Sequence, residues 1–330
     1  MNIKDIAKIA GVSVSTVSLV LNKKSGVSEK TRLRVQSVAE KLNYIPSHIA
    51  RSLVMKKTRS VGLIVPDIAE VYYGTLARII QDAMSNRAYT TLIFNSDNRY
   101  EKEKEGLDFL VEKNVDGIIM VPRGNGNLER VKNIRVPVVF VDSYIENLAI
   151  SYVGVDNERA GYIATEHLIK LGHRRIACIT GPPGFNSSEE RIVGYKRALA
   201  DAGIEFNGLF LKHTDWTVEG GFQATEEIFS LETRPTAIFV TGDTCAIGVF
   251  EALLGKGYRI PKDVSIVGFD DMKFSPFLKV PLTTVRQPIH QLGNFAVELL
   301  LGMIDSNNIS EPKRIILDTE LVIRESTANI

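Results

Sequence analysis

The sequence predicts an α/β protein: an N-terminal helix-turn-helix head and hinge helix, then two doubly wound parallel-sheet lobes. Three observations predict it. The first 59 residues are strongly basic, their apolar side chains recur at helical spacing, and the remainder alternates short apolar runs with amphipathic segments. Of the 330 residues, 44% are hydrophobic and 24% charged, with a formal net charge of +1. That total hides a partition, because residues 1–59 hold 12 Lys and Arg against three acids (Asp5, Glu29 and Glu40), a net +9 that leaves −8 for the rest. A small cationic module suited to a polyanion is thus joined to an acidic globular body. A disordered basic tail would lack the apolar periodicity.

Within the head, Ile3, Ile6, Ala7 and Ala10 fall at i, i+3, i+4 and i+7, one face of a short helix. Gly11 follows, where a tight turn needs a residue free to take positive φ. Ser13 is placed to cap a second helix over residues 14–21, with Val17, Val20 and Leu21 inward and Val14, Ser15 and Leu19 on another face. Ser28 opens a third helix, whose Val35, Val38, Ala39 and Leu42 repeat the same spacing. Pro46 ends that helix, and Ser47 can cap a fourth short one carrying Ala50 and Leu53 on one side. So short a helix is marginal alone and forms only when packed against something.

The run IKDIAKIAGVSVSTVSLVLN and the following YIPSHIARSL resemble the DNA-binding head and hinge of the lactose/galactose repressor (LacI/GalR) family, and the similarity continues over the whole chain. The resemblance implies a head over 1–46, a hinge helix and linker over 47–59, and an effector-binding and dimerisation domain over 60–330. It implies that residues 14–21 enter the major groove with Val14, Ser15 and Leu19 at base-reading positions and Thr16 and Asn22 beside them. It also implies paired hinge helices that push Leu53 into a minor-groove step, with Ala50 beside it among the DNA-binding residues. Elementary chemistry agrees. An apolar wedge unstacks a step without needing a hydrogen-bond partner, flanking cations neutralise phosphates, and Val14 and Leu19 offer only apolar contacts, for instance to thymine methyls.

From Ser60 the pattern changes. VGLIVP, TTLIFNS, GIIMVP and VPVVFVD read as strands alternating with helical TLARIIQDAMSNR and EKEKEGLDFLVEK. A second run follows, with strands RIACITGP, TAIFVTGD and VSIVGFDD between helical AGYIATEHLIKLG, ERIVGYKRALADAG, GGFQATEEIFS and CAIGVFEALLGKG. Short apolar runs between amphipathic helices mean parallel sheets covered on both faces, and two runs mean two lobes. The resemblance implies lobes of periplasmic-binding-protein type, the first about 60–158 with 289–318, the second about 159–286 with 319–330.

In such sheets ligands bind at the carboxyl ends of strands. Those ends carry Pro66-Asp67, Asn95, Pro122-Arg123, Asp142, Gly181, Gly242-Asp243 and Asp270-Asp271. The resemblance refines the set to Tyr72, Tyr73, Arg191, Trp216 and Asp270, with Asp243 and Gln287 nearby, and Arg123 at its strand end completes the expected effector site. Arg191 matches an arginine that forks onto ligand oxygens, Trp216 an aromatic that covers an apolar sugar face, and Asp270 a carboxylate that accepts ligand hydrogen bonds. Plainer roles stay open: Arg191 as a partner of Glu189 or Glu190, Trp216 as core, and Asp243 as a helix cap. Gly242 stands where many sugar-responsive relatives carry Asn, and Arg123 at a strand end is unusual. Relatives that dock a phosphorylated carrier protein use basic residues on the helix after TTVRQP. Glu298 and Gly302 stand there instead, so that partner is not expected.

Other classes are disfavoured. GPPGFNSS (181–188) lacks the Lys-Ser/Thr of a phosphate loop, GxGxxG is absent, and no His/Cys/Asp spacing suits a metal. Cys178 and Cys245, 67 residues apart, form neither a disulfide scaffold nor a zinc ribbon. No stretch approaches the ~18 consecutive apolar residues of a membrane helix, and Asp5 and Lys8 interrupt what an export signal would keep apolar. The expectation is therefore a cytoplasmic transcriptional regulator, most simply a repressor and not an enzyme, with no cofactor or metal. Its partners are a double-stranded operator, a sugar-like effector and a second copy of itself; the chain ends at Ile330 without a leucine-heptad segment, which favours a dimer. The alternatives are a nucleoside- or purine-type corepressor-dependent regulator, or a stand-alone sugar-binding protein.

Overall fold

The computed structural model describes residues 2–21, 25–42, 44, 57–124, 128–306 and 311–330. Asn22, Ala50 and Leu53, with most of the expected hinge helix, lie outside the described residues. The chain divides into two compact units, Met1–Arg59 and Ser60–Ile330.

The first unit is a three-helix head: α1 (Ile3–Ala10), α2 (Val14–Leu21) and α3 (Glu29–Lys41). Its start and stop signals act as their chemistry dictates. Asn2 and Asp5 form a reciprocal capping box on α1, and Gly11 ends that helix at φ +61°. The Ser13 hydroxyl accepts the Thr16 N–H at 3.1 Å at the start of α2, and Ser28 caps α3 through the Thr31 N–H. Ile6, Ala7, Ala10, Val17, Val20, Val35 and Ala39 close one small core.

The second unit holds two six-stranded sheets. The first has β1 (Ser60–Val65), β2 (Thr90–Asn95), β3 (Ile118–Met120), β4 (Val138–Val141), β5 (Ser151–Val155) and β11 (Arg314–Leu317). They are ordered β11-β5-β4-β3-β1-β2 and all parallel. The second has β6 (Ile176–Thr180), β7 (Leu211–His213), β8 (Ala237–Val240), β9 (Ser265–Asp270), β10 (Thr283–Arg286) and β12 (Glu320–Val322). Their order is β12-β10-β9-β8-β6-β7, parallel except for β12, which runs antiparallel to β10 at the edge.

Helices cover these sheets: α4 (Val71–Ser85), α5 (Tyr100–Glu112), the short α6 (Leu128–Lys132), α7 (Asn157–Lys170), α8 (Asn186–Asp201), α9 (Val218–Phe229), α10 (Asp243–Gly255) and α11 (Ile289–Ser306). The central strands are buried end to end, as sheets covered on both faces require. After the second sheet is built, α11 packs Leu292, Ala296, Val297 and Leu300 into the core of the first lobe, and β11 and β12 then join opposite sheets. Each lobe is therefore assembled from chain segments far apart in sequence. Strand order reverses between β1 and β3 in one sheet and between β6 and β8 in the other. Those reversals open crevices at the carboxyl ends, where ligands bind in this class of sheet.

The head's core is small enough for one deletion to matter. Ile6 is fully buried there, and Ile6→Ala is expected to cost about 2–4 kcal/mol. Calorimetry should show the head's transition lost or lowered while the transition of residues 60–330 stays in place.

Candidate functional site

A small, largely polar cavity opens among the carboxyl ends of the two sheets, the place where ligands bind in open α/β sheets. Glu70, Tyr72, Tyr73 and Asp142 line it from the first lobe; Ser187, Arg191, Trp216, Thr241, Gly242, Thr244 and Asp270 line it from the second, and Gln287 from the crossover.

Arg191 is 4% exposed, too buried for a lone guanidinium unless it is paired and hydrogen-bonded. Its Nε donates to Asn157 Oδ1 at 2.9 Å, its Nη1 donates to the Thr241 carbonyl at 2.9 Å, and its plane lies 3.6 Å from the Phe269 ring centre. The second terminal nitrogen has no protein acceptor among the described residues. The second turn of α8 places this side chain against the end of β8 and the Phe269 ring of β9, so the fork is held before anything binds.

Two buried carboxylates face it. Asp142 accepts the Tyr72 hydroxyl at 2.8 Å and is also bonded by Tyr73; Gln287 donates to Asp270 Oδ1 at 2.8 Å. Burial pushes Asp270 well above the usual carboxylate range, with Arg191 opposing. Burial raises Asp142 too, again against Arg191 and the tyrosine hydroxyls. Asp142 and Asp270 hold positive φ of 66° and 111°, sparsely populated backbone that concentrates at functional sites.

Trp216 lies on the cavity wall, at φ 62° and 8% exposed, with its ring edge-on to Phe185 at 5.4 Å. Its indole N–H donates to the Thr241 hydroxyl, which donates onward to Thr180. Glycines make room for the ring. A Cβ on Gly181 would fall inside the indole, and one on Gly242 would stand 3.1 Å from it.

Six of the eight expected effector residues, Tyr72, Tyr73, Arg191, Trp216, Asp270 and Gln287, thus meet in one cavity. Two expected residues lie off it. Arg123 turns along its own lobe, donating to the Asn98 carbonyl and stacking on Tyr100 at 5.1 Å. Asp243 caps a buried network instead, accepting from the Met272 N–H at 2.9 Å and from the Ser275 and Thr284 hydroxyls. Its carboxyl is pushed up by burial to about 6. Glu70, Ser187, Thr241 and Thr244 were not singled out from the sequence. Glu70 had a partial signal, an acid just before a helix, and it does cap α4 through the Tyr72 and Tyr73 N–H groups.

In the head, Val14 is 41% exposed and Ser15 exposed, whereas Val17 and Val20 are buried. The Ser13 hydroxyl lies 2.8 Å from both the Ser15 and Thr16 hydroxyls, and Leu19 is half-buried. The face of α2 away from the core therefore presents small apolar and hydroxyl groups, and Val14 is no core residue.

The model for bacterial regulatory proteins of the lacI family matches residues 2–47, and that for the periplasmic binding protein-like domain matches residues 165–327. Over 332 aligned residues the chain is 36% identical to the HTH-type transcriptional repressor PurR of Aliivibrio fischeri (strain MJ11), covering 99% of this chain and 98% of that one. The chain belongs to the lacI family. This lacI-family member is also 36% identical to the catabolite control protein A of Priestia megaterium, over 96% of this chain and 97% of the other. Its fold matches the crystal structure of the Lac repressor dimer bound to operator and the anti-inducer ONPF, with a TM-score of 0.90, 29% identity and 99% of both chains covered. Like its family, the protein is a DNA-binding transcriptional regulator of the repressor type with a small-molecule effector, not an enzyme. No helix among the described residues is long and apolar enough to cross a membrane.

Burial raises the folded-state pKa of Asp270 above its unfolded value. An acid shifted upward adds stability that is fully present below the unfolded pKa and is lost as pH rises through the folded one. Asp270→Asn is therefore expected to raise the melting temperature of the unliganded protein at pH 8 by roughly 2–4 °C, and by less at pH 5. Equal shifts at both pH values would mean the carboxylate is not held against its ionisation.

Proposed function

We propose that the protein is a cytoplasmic, homodimeric repressor whose grip on a pseudo-palindromic operator is set by a sugar or sugar derivative bound between the two lobes. What supports the effector class is Arg191. A guanidinium pre-oriented by two fixed acceptors, with one nitrogen left over beside Asp270 and an indole wall, fits a ligand with several hydroxyls on a ring having an apolar face. Tyr72, Tyr73 and Gln287 are read here as groups that orient Asp142 and Asp270 for the ligand.

At the other end, α2 is read as the helix that enters the major groove, with Val14, Ser15, Thr16 and Leu19 toward the bases and Asn22 beside them. Leu53, next to Ala50, is assigned to a minor-groove step between the two half-sites. The basic head supplies the phosphate contacts, so duplex affinity should fall steeply with salt. The effector acts only through its different affinities for the DNA-competent and DNA-incompetent arrangements of the lobes.

A thermal-shift panel of neutral carbohydrates, nucleosides and nucleobases tests the effector class directly, because a ligand selective for the native state raises the melting point. Stabilisation by nucleobases and by no carbohydrate would replace the sugar reading with the purine-type one. Arg191→Ala should abolish the shift given by an active sugar and the effector response of operator binding, while circular dichroism stays native. Leu53→Ala should weaken operator binding by about tenfold or more and leave sugar binding intact; unchanged operator affinity would remove Leu53 from the wedge role.

A further inference from the structure

The cavity's formal charge does not balance. Glu70, Asp142 and Asp270 line it with Arg191 as the sole cation, three acids against one base. Asp142 and Asp270 are 4% and 8% exposed, so solvent does little to compensate them. Their protein donors are unequal. Asp142 takes tyrosine hydroxyls, and Glu70 takes two backbone N–H groups and the Thr244 hydroxyl at 3.0 Å. Asp270 receives only the Gln287 amide, on Oδ1; its second oxygen has no protein donor among the described residues.

Asp270 therefore demands a donor from the ligand, and the surroundings set which kind. A neutral hydroxyl supplies a hydrogen bond but leaves the excess of negative charge in place. An ammonium supplies the bond and removes one uncompensated charge, and bonds between ionised partners are roughly twice as strong as neutral ones. Glu70 doubles the excess, because without it Asp142 and Asp270 would face Arg191 alone, two acids to one base. Its position is also unusual for a pure helix cap. One oxygen holds the N-terminus of α4 in the first lobe while the other reaches Thr244 on α10 in the second. Its charge acts on Tyr73 and Asp270 across the cavity.

We propose that the effector is a polyhydroxylated amine of the amino-sugar class, with its ammonium beside Asp270 and Asp142, its hydroxyls on the free nitrogen of Arg191, and Glu70 setting the preference for the amine. The proposal rests on the sugar-binding reading above and narrows it. Burial raises the carboxyls of Glu70, Asp142 and Asp270, with Arg191 opposing at the last two, so an ammonium beside them would favour their charged forms.

The test is titration calorimetry of the full-length protein with matched pairs that differ only in the group at C2: glucosamine with glucose, galactosamine with galactose, mannosamine with mannose. In at least one pair the amine should bind about tenfold or more tightly than its hydroxyl counterpart. Glu70→Gln, which keeps an acceptor for the helix cap, should lower that ratio, and Asp270→Asn, which removes the ammonium's nearest carboxylate, should bring it close to one; a ratio unchanged in both overturns the proposal. Neutral sugars binding as tightly as or more tightly than their amines overturns the amine proposal and leaves the sugar reading standing. Nucleobases binding while no sugar or amine does overturns both.

Discussion

The buried guanidinium of Arg191 is the interaction on which the cavity between the lobes depends. It lies at the carboxyl end of the second sheet, where β6 and β8 separate, and joins α7, β8 and β9 through Asn157, the Thr241 carbonyl and the Phe269 ring. It is also the cation that makes the burial of Asp142 and Asp270 tolerable, since isolated carboxylates at that depth would neutralise or draw in water. Without it both acids would lose the one cation that opposes their burial.

From that centre, polar contacts run outward and tie the lobes together. Tyr72 of the first lobe bonds Asp142 and approaches Gln287, which bonds Asp270 on the second. Glu70 meets Thr244, and on another part of the interface the Tyr144 hydroxyl donates to Glu190 at 2.8 Å. Hydrogen bonds of this kind contribute modestly each, so the lobe arrangement is one that a ligand of ordinary affinity can bias. A regulator needs that property. An interface held by a large apolar contact would ignore its effector.

Much of this was legible beforehand. Ile6, Ala10, Val17, Val20 and Val35 announce the head's core because helical spacing and burial follow from the same 3.6-residue period. Arg191, Trp216 and Asp270 were found because matching motifs surround them. Other features were hidden for identifiable reasons. β5 is fully buried yet reads SYVGV, where Ser, Tyr and Gly break the apolar run that would mark a strand. The strand-end rule nominated Arg123 and Asp243 correctly by position and wrongly by direction. Arg123 folds back on Asn98 and Tyr100, and the first turn of α10 aims Asp243 at Met272, Ser275 and Thr284. Glu70 looked like an ordinary acid ahead of a helix, because its second contact comes from Thr244, 174 residues away.

The sequence by itself determined the order of elements, the cationic head, the family and most of the candidate ligand contacts, since all of these follow from local period, charge and motif. Tertiary structure alone decided which carboxylates share the cavity, which face inward and how many charges remain unbalanced. The physical reason is that desolvation and Coulomb energy depend on distance through space. Residues 70, 142, 191 and 270 come together only after the chain has crossed between its two sheets.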